Sequence, residues 1–149
     1  MSSPAATIHD APLADVDPLT LYAIIALRID VFVVEQNCVY RELDGRDAQP
    51  SARLVWAETD EGVAATLRLL CEDSTTARIG RVATAASARG RGLAAQLVGR
   101  ALELSGDDDV VLDAQAHLAG WYERFGFRRS GPDFIEDGIA HTPMRRDRQ

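Results

Sequence analysis

The residues whose types and spacing best suit chemistry are Arg89, Gly90, Arg91 and Gly92, an arginine-glycine turn between a strand-like and a helix-like stretch. Glycine lets backbone approach a ligand with no Cβ in the way. The start of a helix presents unpaired N–H groups at the positive end of its dipole, so an anion can dock there. Arg89 and Arg91 add charge, and the chemistry that results is that of a phosphate or pyrophosphate. A P-loop would need G-x-x-x-x-G-K followed by Ser or Thr, and a dinucleotide turn would need G-x-G-x-x-G directly after its strand. Neither is present. All 16 Lys and Arg residues are arginine, so a P-loop lysine and a Schiff-base lysine are both excluded.

The elements that must position this turn are legible on either side of it. Ile79, Arg81 and Ala83 alternate with Gly80, Val82 and Thr84, a period of two that predicts a strand. Leu93, Leu97 and Ala101, with Ala94, Val98 and Leu102, recur at the spacing of a helix buried on one face. Thr7 to Leu13 reads as a short first strand limited by Pro12. Asp17-Pro18 reads as a helix start, and Ile24, Ile25, Val31 and Phe32 mark one face of a helix reaching the early thirties. Arg53 to Glu58 and Val63 to Cys71 predict two strands joined by Asp60-Glu61-Gly62, with Leu67, Leu69 and Cys71 on one face and Arg68 and Leu70 on the other. Val110 to Leu112 predict a short strand covered on both faces. His117 to Phe125 predict a last helix, closed by Gly126, with strands from Phe127 and near His141 to Arg145.

The composition bounds what the chain can be. Its 149 residues make about one domain, taken as 1–149, and 46% hydrophobic residues suffice for a core. A formal net charge of −7 disfavours nucleic acid and anionic membranes as partners and favours a cationic substrate. No apolar run approaches the roughly 20 residues that span a bilayer, and MSSPAATIHD has neither a basic n-region nor an apolar h-region, so a cytoplasmic protein is expected. Cys38 and Cys71 lack metal-site spacing and read as buried free thiols; no metal and no cysteine nucleophile are expected.

Arg89 to Ala94 has the form R-x-x-G-x-A and resembles the acetyl-CoA pyrophosphate signature of the GCN5-related N-acetyltransferase (GNAT) superfamily. Gln115 to Phe127, QAHLAGWYERFGF, resembles the later block of that family, with Tyr122, Gly126 and Phe127 in its Tyr-x-x-x-Gly-Phe positions. Arg28 to Gly45, RIDVFVVEQNCVYRELDG, and the Glu136 to His141 segment EDGI-x-H resemble the ElaA-like subgroup. The resemblance implies an α/β (α+β) fold. Its central sheet would be mixed, mostly antiparallel and twisted, with six to seven strands, about four flanking helices and a V-shaped split between the fourth and fifth strands.

It also implies a reaction and its site. Acetyl-CoA would lie in the split between Val82, Ala83 and Thr84 on one side and Leu112 to Gln115 on the other. Its pyrophosphate would sit on Arg89, Gly90, Arg91, Gly92, Leu93 and Ala94, with an N–H near Val82 serving the oxyanion. Gln115 stands where many relatives carry an asparagine that bonds the pantetheine arm or the tyrosine helix; His117 is a candidate cofactor contact or helix cap and, as a lone histidine, reads more readily as structural. Arg28, Glu35, Asp44 and Asp137 are candidate contacts to an acceptor amine; taken singly, the loop acids Glu35, Glu42, Asp44 and Asp47 read more readily as a solvated loop. Tyr122 is the expected general acid, the alternative being a buried tyrosine with its hydroxyl bonded. Glu35 and His141 are the candidate bases. The implied activity is direct acetyl transfer from the thioester to an amine, with no acyl-enzyme; a different acyl donor and a non-catalytic CoA-binding sensor are the competing readings. A homodimer through a sheet edge or helix face is one assembly open to such a chain.

Overall fold

In a computed structural model that describes residues 5–148, Asp17 caps the first helix as its place before Pro18 requires. Its carboxylate accepts from the N–H groups of Leu19 at 3.2 Å and Thr20 at 3.3 Å, at the start of α1 (Pro18–Arg28). Asp17→Ala is expected to lower stability by about 1 kcal/mol, read by thermal denaturation. Residues 1–4, part of the stretch read above for a targeting segment, lie outside the described region.

The sheet forms in chain order as β1 (Thr7–Ala11), β2 (Arg53–Thr59), β3 (Gly62–Asp73), β4 (Thr76–Thr84), β5 (Asp109–Gln115), β6 (Arg128–Arg129), β7 (Phe134–Glu136) and β8 (Ile139–Arg146). In space the order is β1-β2-β3-β4-β5-β8-β6, with β7 also on β8. Only β4 and β5 pair in parallel; the other pairs are antiparallel. Between β4 and β5 runs α2 (Leu93–Ser105), and α3 (Ala119–Glu123) follows β5.

Two helices cover the two sheet faces, which is why β2 is buried without alternation. On one face α2 lays Leu93, Leu97, Val98 and Ala101 against Val55, Leu67 and Ile79. On the other, Ile24 of α1 meets Leu54 and Trp56, while Leu27 and Val31 meet Ala83. Burial of these apolar faces is the main force holding the layers together.

The sheet has eight strands among the described residues rather than six to seven, the extra ones being the short β6 and β7 flanking β8. The α-helices among the described residues are three rather than about four. The chain leaving α1 does not start a new α-helix but continues as a π-helical segment, Ile29–Glu35. Three further expectations are corrected. β1 ends at Ala11, before Pro12, rather than at Leu13. β5 is longer than Val110 to Leu112 and alternates: Val110, Leu112 and Ala114 are buried, whereas Asp113 and Gln115 turn towards an open cleft. Cys38 is buried, but Cys71 is exposed, because the β3–β4 hairpin overhangs the end of the core there.

The split between β4 and β5 has a local cause. They pair only at Thr76↔Asp109, Ala77↔Val110 and Arg78↔Val111, after which β5 keeps only β8 as neighbour. On the opposite edge of β4, Arg68 faces Gly80 and Thr66 faces Ala83, so β4 carries one residue more than β3 across this step. That is a β-bulge, which bends its strand away from a neighbour. Arg81 and Val82 at the bulge have no register partner on either side, and Arg81 sits at φ 53°. An arginine in this left-handed region costs on the order of 1–2 kcal/mol.

Candidate active site

The opening of β4 from β5 leaves a cleft of about 650 Å³, a size suited to a small-molecule substrate. One wall carries Gly80, Arg81 and Val82, and the other Leu112, Asp113 and Gln115. Tyr122 and His141 also line it. Ala83 is buried behind this wall, and Thr84 ends β4.

Past Thr84, a 3₁₀ turn at Ala86–Ala88 leads into the arginine-glycine turn. Gly90 has φ 81° and Gly92 φ 73°, conformations that a side chain resists. Gly92 is the N-cap of α2 and no side chain caps that end. The first N–H groups of a 13-residue helix are therefore open to an anion. Leu93 anchors the first turn in the core beside Ala94. The two arginines differ from each other. Arg89 is held by both oxygens of Glu35 at 2.8 and 2.7 Å and donates to the Thr84 carbonyl at 3.3 Å. Among the described residues Arg91 donates only to the Ser87 carbonyl, at 3.3 Å, and pairs with no carboxylate.

Tyr122 is 6% exposed and edge-packed between Trp121 and Phe127. Burial pushes its phenol up to about 12, so it stays protonated at neutral pH. Its hydroxyl makes no hydrogen bond among the described residues although the ring lines the cleft. His141 stacks on Phe134 with ring centroids 5.6 Å apart. Its Nδ1 lies 2.8 Å from the Ile139 carbonyl oxygen. A carbonyl only accepts, so Nδ1 carries the proton and, in the neutral ring, Nε2 keeps a lone pair.

The remaining sequence-predicted residues fall into different places. Gln115 lines the cleft and donates from Nε2 to Gln36 Oε1 at 3.2 Å, tying the end of β5 to the end of the π-helical segment. His117 is exposed in the 3₁₀ turn Ala116–Leu118 and is not on the cleft wall. Glu35 is exposed, outside the cleft and engaged with Arg89. Asp137 lines the cleft in the β7–β8 turn. Asp44 lines it too, but both its oxygens accept from Arg68 at 2.8 Å, and this pairing holds the carboxyl well below the usual carboxylate range.

Arg28 does not reach the cleft; at 2% exposure it is enclosed beneath the Cys38–Asp47 loop. Its Nε donates to Glu42 Oε2 at 2.6 Å and its Nη1 to Asp47 Oδ1 at 2.7 Å. Burial alone would push this guanidinium down, but its bonds to Asp47 and Glu42 hold it charged. A substrate contact is thus replaced by a structural one. Sequence reasoning gave Arg81 and Tyr40 no role in the site and counted Glu42 only among the loop acids that could meet an amine or solvent; the signal for Arg81 was a second arginine in β4, between Gly80 and Val82.

Cleft charge is largely paired internally. Arg46 and Arg78 both meet Glu72, Arg78 also meets Asp113 at 3.2 Å, and Arg68 and Arg81 meet Asp44. Glu136 and Asp137 form no ion pair among the described residues. They stand close enough to Cys38 that, after burial, their charge is the next force keeping its thiol protonated. Cys38 is therefore a poor nucleophile. No group of three or more metal-ligating side chains occurs among the described residues, and none of their helices is long and apolar enough to cross a membrane.

The architecture and the cleft have close counterparts. Residues 24–148 match the acetyltransferase (GNAT) domain model. A UPF0039 protein of Mycobacterium tuberculosis is 46% identical over 136 residues, covering 89% of this chain and 87% of that one. Protein ElaA of Escherichia coli is 38% identical over 133 residues, 85% of this chain and 87% of its own. The ElaA crystal structure superposes with a TM-score of 0.89 at 34% identity over 96% of this chain and 100% of that one. A Pseudomonas aeruginosa acyl-CoA N-acyltransferase superposes with a TM-score of 0.88 at 40% identity over 95% and 99% of the two chains. The split sheet, the uncapped helix and this similarity along nearly the whole chain agree, and the chain belongs to the GNAT acetyltransferase family of acyltransferases, in its ElaA-like branch.

Proposed function

We propose that the protein is an acetyl-CoA-dependent N-acetyltransferase acting on a cationic amine, working in the cytoplasm as a single-domain enzyme. The observation that carries this reading is the continuity from the open N-terminus of α2, along the unpaired ends of β4 and β5, to the bulge at Arg81–Val82 beside Tyr122. A pyrophosphate fits the first part, an extended thioester arm the second and a reacting carbonyl the third. In this reading the amine is drawn to Glu136 and Asp137, the cleft carboxylates left without an ion pair.

The residues then divide the work. The amine loses a proton to His141 Nε2, directly or through water, and its lone pair attacks the thioester carbonyl carbon. The carbonyl oxygen takes the charge and is stabilised by the Val82 N–H. Collapse breaks the C–S bond: Tyr122 gives its proton to the departing sulfur, and the extra proton still on the nitrogen passes back to the Tyr122 oxygen through water, giving an amide and free CoA. Among the two candidate bases His141 fits better, since Glu35 stands outside the cleft, bound to Arg89. Glu35→Gln is accordingly expected to keep turnover and, by freeing Arg89, to tighten CoA binding about two- to fivefold, as for an exposed ion pair. Calorimetry at two salt concentrations reads this, and a loss of turnover instead would restore Glu35 as the base.

The activity itself is tested by free-thiol release from acetyl-CoA with and without a panel of amines and lysine peptides. With no lysine in the chain, amine-dependent release cannot come from lysine automodification. Release with cationic amines supports the reading; saturable CoA binding without turnover on any amine supports the sensor instead.

A further inference from the structure

Beneath the bulge lies a buried carboxylate that the reaction above does not use. Glu42 is 5% exposed, and its Oε2 accepts from Arg28 Nε at 2.6 Å and Arg81 Nε at 3.0 Å. Its Oε1 accepts from Tyr40 Oη at 3.0 Å. Its backbone carbonyl is shared by Arg28 and Arg81 as well, at 3.3 and 3.4 Å. Arg81 in turn lies over the Tyr40 ring, 4.9 Å from the centroid. The residue so clamped is the one held at φ 53°, next to Val82.

A strained backbone persists only when its surroundings over-determine it. Here those surroundings are two hydrogen bonds to Glu42, one contact with the Tyr40 ring and a longer ion pair to Asp44 at 3.5 Å, all on the Arg81 side chain. We propose that Glu42, anchored by Arg28, is a positioning residue of the reaction: by gripping Arg81 it holds the β4 bulge open and aims the Val82 N–H at the thioester carbonyl. Releasing the grip lets Arg81 relax towards ordinary extended backbone, re-pairing the strand and turning that N–H away. The inference rests on the acyl-transfer reading of the cleft.

Glycine at position 81 separates this role from a merely structural one, because it adopts the same φ without strain and needs no grip. The probe is acetyl-CoA labelled with ¹³C at the thioester carbonyl, whose NMR shift moves downfield on accepting a hydrogen bond and requires no acceptor amine. Wild type should show that shift on binding. Arg81→Met, which keeps the bulk and the Arg28–Glu42 pair, should lose it, and Arg81→Gly should recover it. Glu42→Gln should abolish it with Arg81 present and have little effect with Gly at 81. Where an acceptor is in hand, kcat should follow the same order, about tenfold or more below wild type for Arg81→Met, with CoA affinity within about twofold.

Equal shifts in wild type, Arg81→Met and Arg81→Gly would overturn the proposal, as would equal losses in both variants. Thermal melting checks first that Glu42→Gln folds; if it does not, the two Arg81 variants still decide. Absence of saturable acetyl-CoA binding in wild type would overturn the acyl-transfer reading, whereas binding with a variant-insensitive shift would overturn only this inference.

Discussion

Tyr122→Phe should lower kcat about a hundredfold or more while leaving CoA affinity and the melting temperature nearly unchanged. The ring is what packs: it meets Trp121 at 4.9 Å and Phe127 at 6.1 Å, and both contacts survive in phenylalanine. The hydroxyl has no partner to lose among the described residues, so its removal touches only what enters the cleft. Losing one well-placed donor or proton source costs about 10²–10³ in rate. Burial pushes the phenol up to about 12, whereas a thiol leaving group titrates near 8.5. Full transfer between such partners is uphill, which places the effect at the lower end of that range. The sign of the shift also fixes the pH profile. A raised value means the neutral phenol persists throughout the neutral range, so kcat should rise as the amine deprotonates and show no tyrosine-linked decline until the pH nears 12. A decline with a midpoint near 7 to 8, or unchanged turnover in Tyr122→Phe, would remove Tyr122 from the mechanism.

Arg28→Met should destabilise the fold by about 3–5 kcal/mol, the effect expected when one partner of a buried ion pair is deleted. Methionine fills much of the volume but leaves Glu42, at 5% exposure, and Asp47, at 8%, without their main cation. Glu42 would keep Arg81 at 3.0 Å and Asp47 would keep Arg68 at 3.3 Å, but each buried carboxylate would lose its shorter bond, which is costly at two acids that share one site. Arg28→Lys keeps one charge yet cannot span both acids with a planar fork, and should fall between wild type and methionine. Urea denaturation with a common m-value measures this directly. A methionine variant as stable as wild type would mean that the Cys38–Asp47 loop reorganises and hydrates both acids.

The difference between what could be read from sequence and what could not follows the range of the interactions. The turn at Gly90 and Gly92, the α2 stripe and the Asp17 cap are local, so spacing alone located them. Arg28 was misplaced because its partners stand 14 and 19 residues away across a loop, and nothing in a helix end distinguishes an arginine facing a cleft from one folded under it. The bulge was invisible for a related reason: it depends on the register of β3 against β4, not on the β4 pattern itself. His141 was found by resemblance, but its fitness as a base comes from the Ile139 carbonyl two residues away, a detail of the first residues of β8. The resemblance supplied the blocks, and the structure showed which of their residues face one another.

The central claim is that acetyl-CoA occupies the split between β4 and β5 with its pyrophosphate on the start of α2. Amide hydrogen exchange with and without acetyl-CoA tests it most directly. The account predicts saturable protection confined to peptides covering Val82 to Thr84, Arg89 to Ala94 and Leu112 to Gln115, with the pyrophosphate turn protected even by CoA lacking the acetyl group. Protection elsewhere on the surface with none at Arg89 to Ala94, or no saturable change at all, would contradict it.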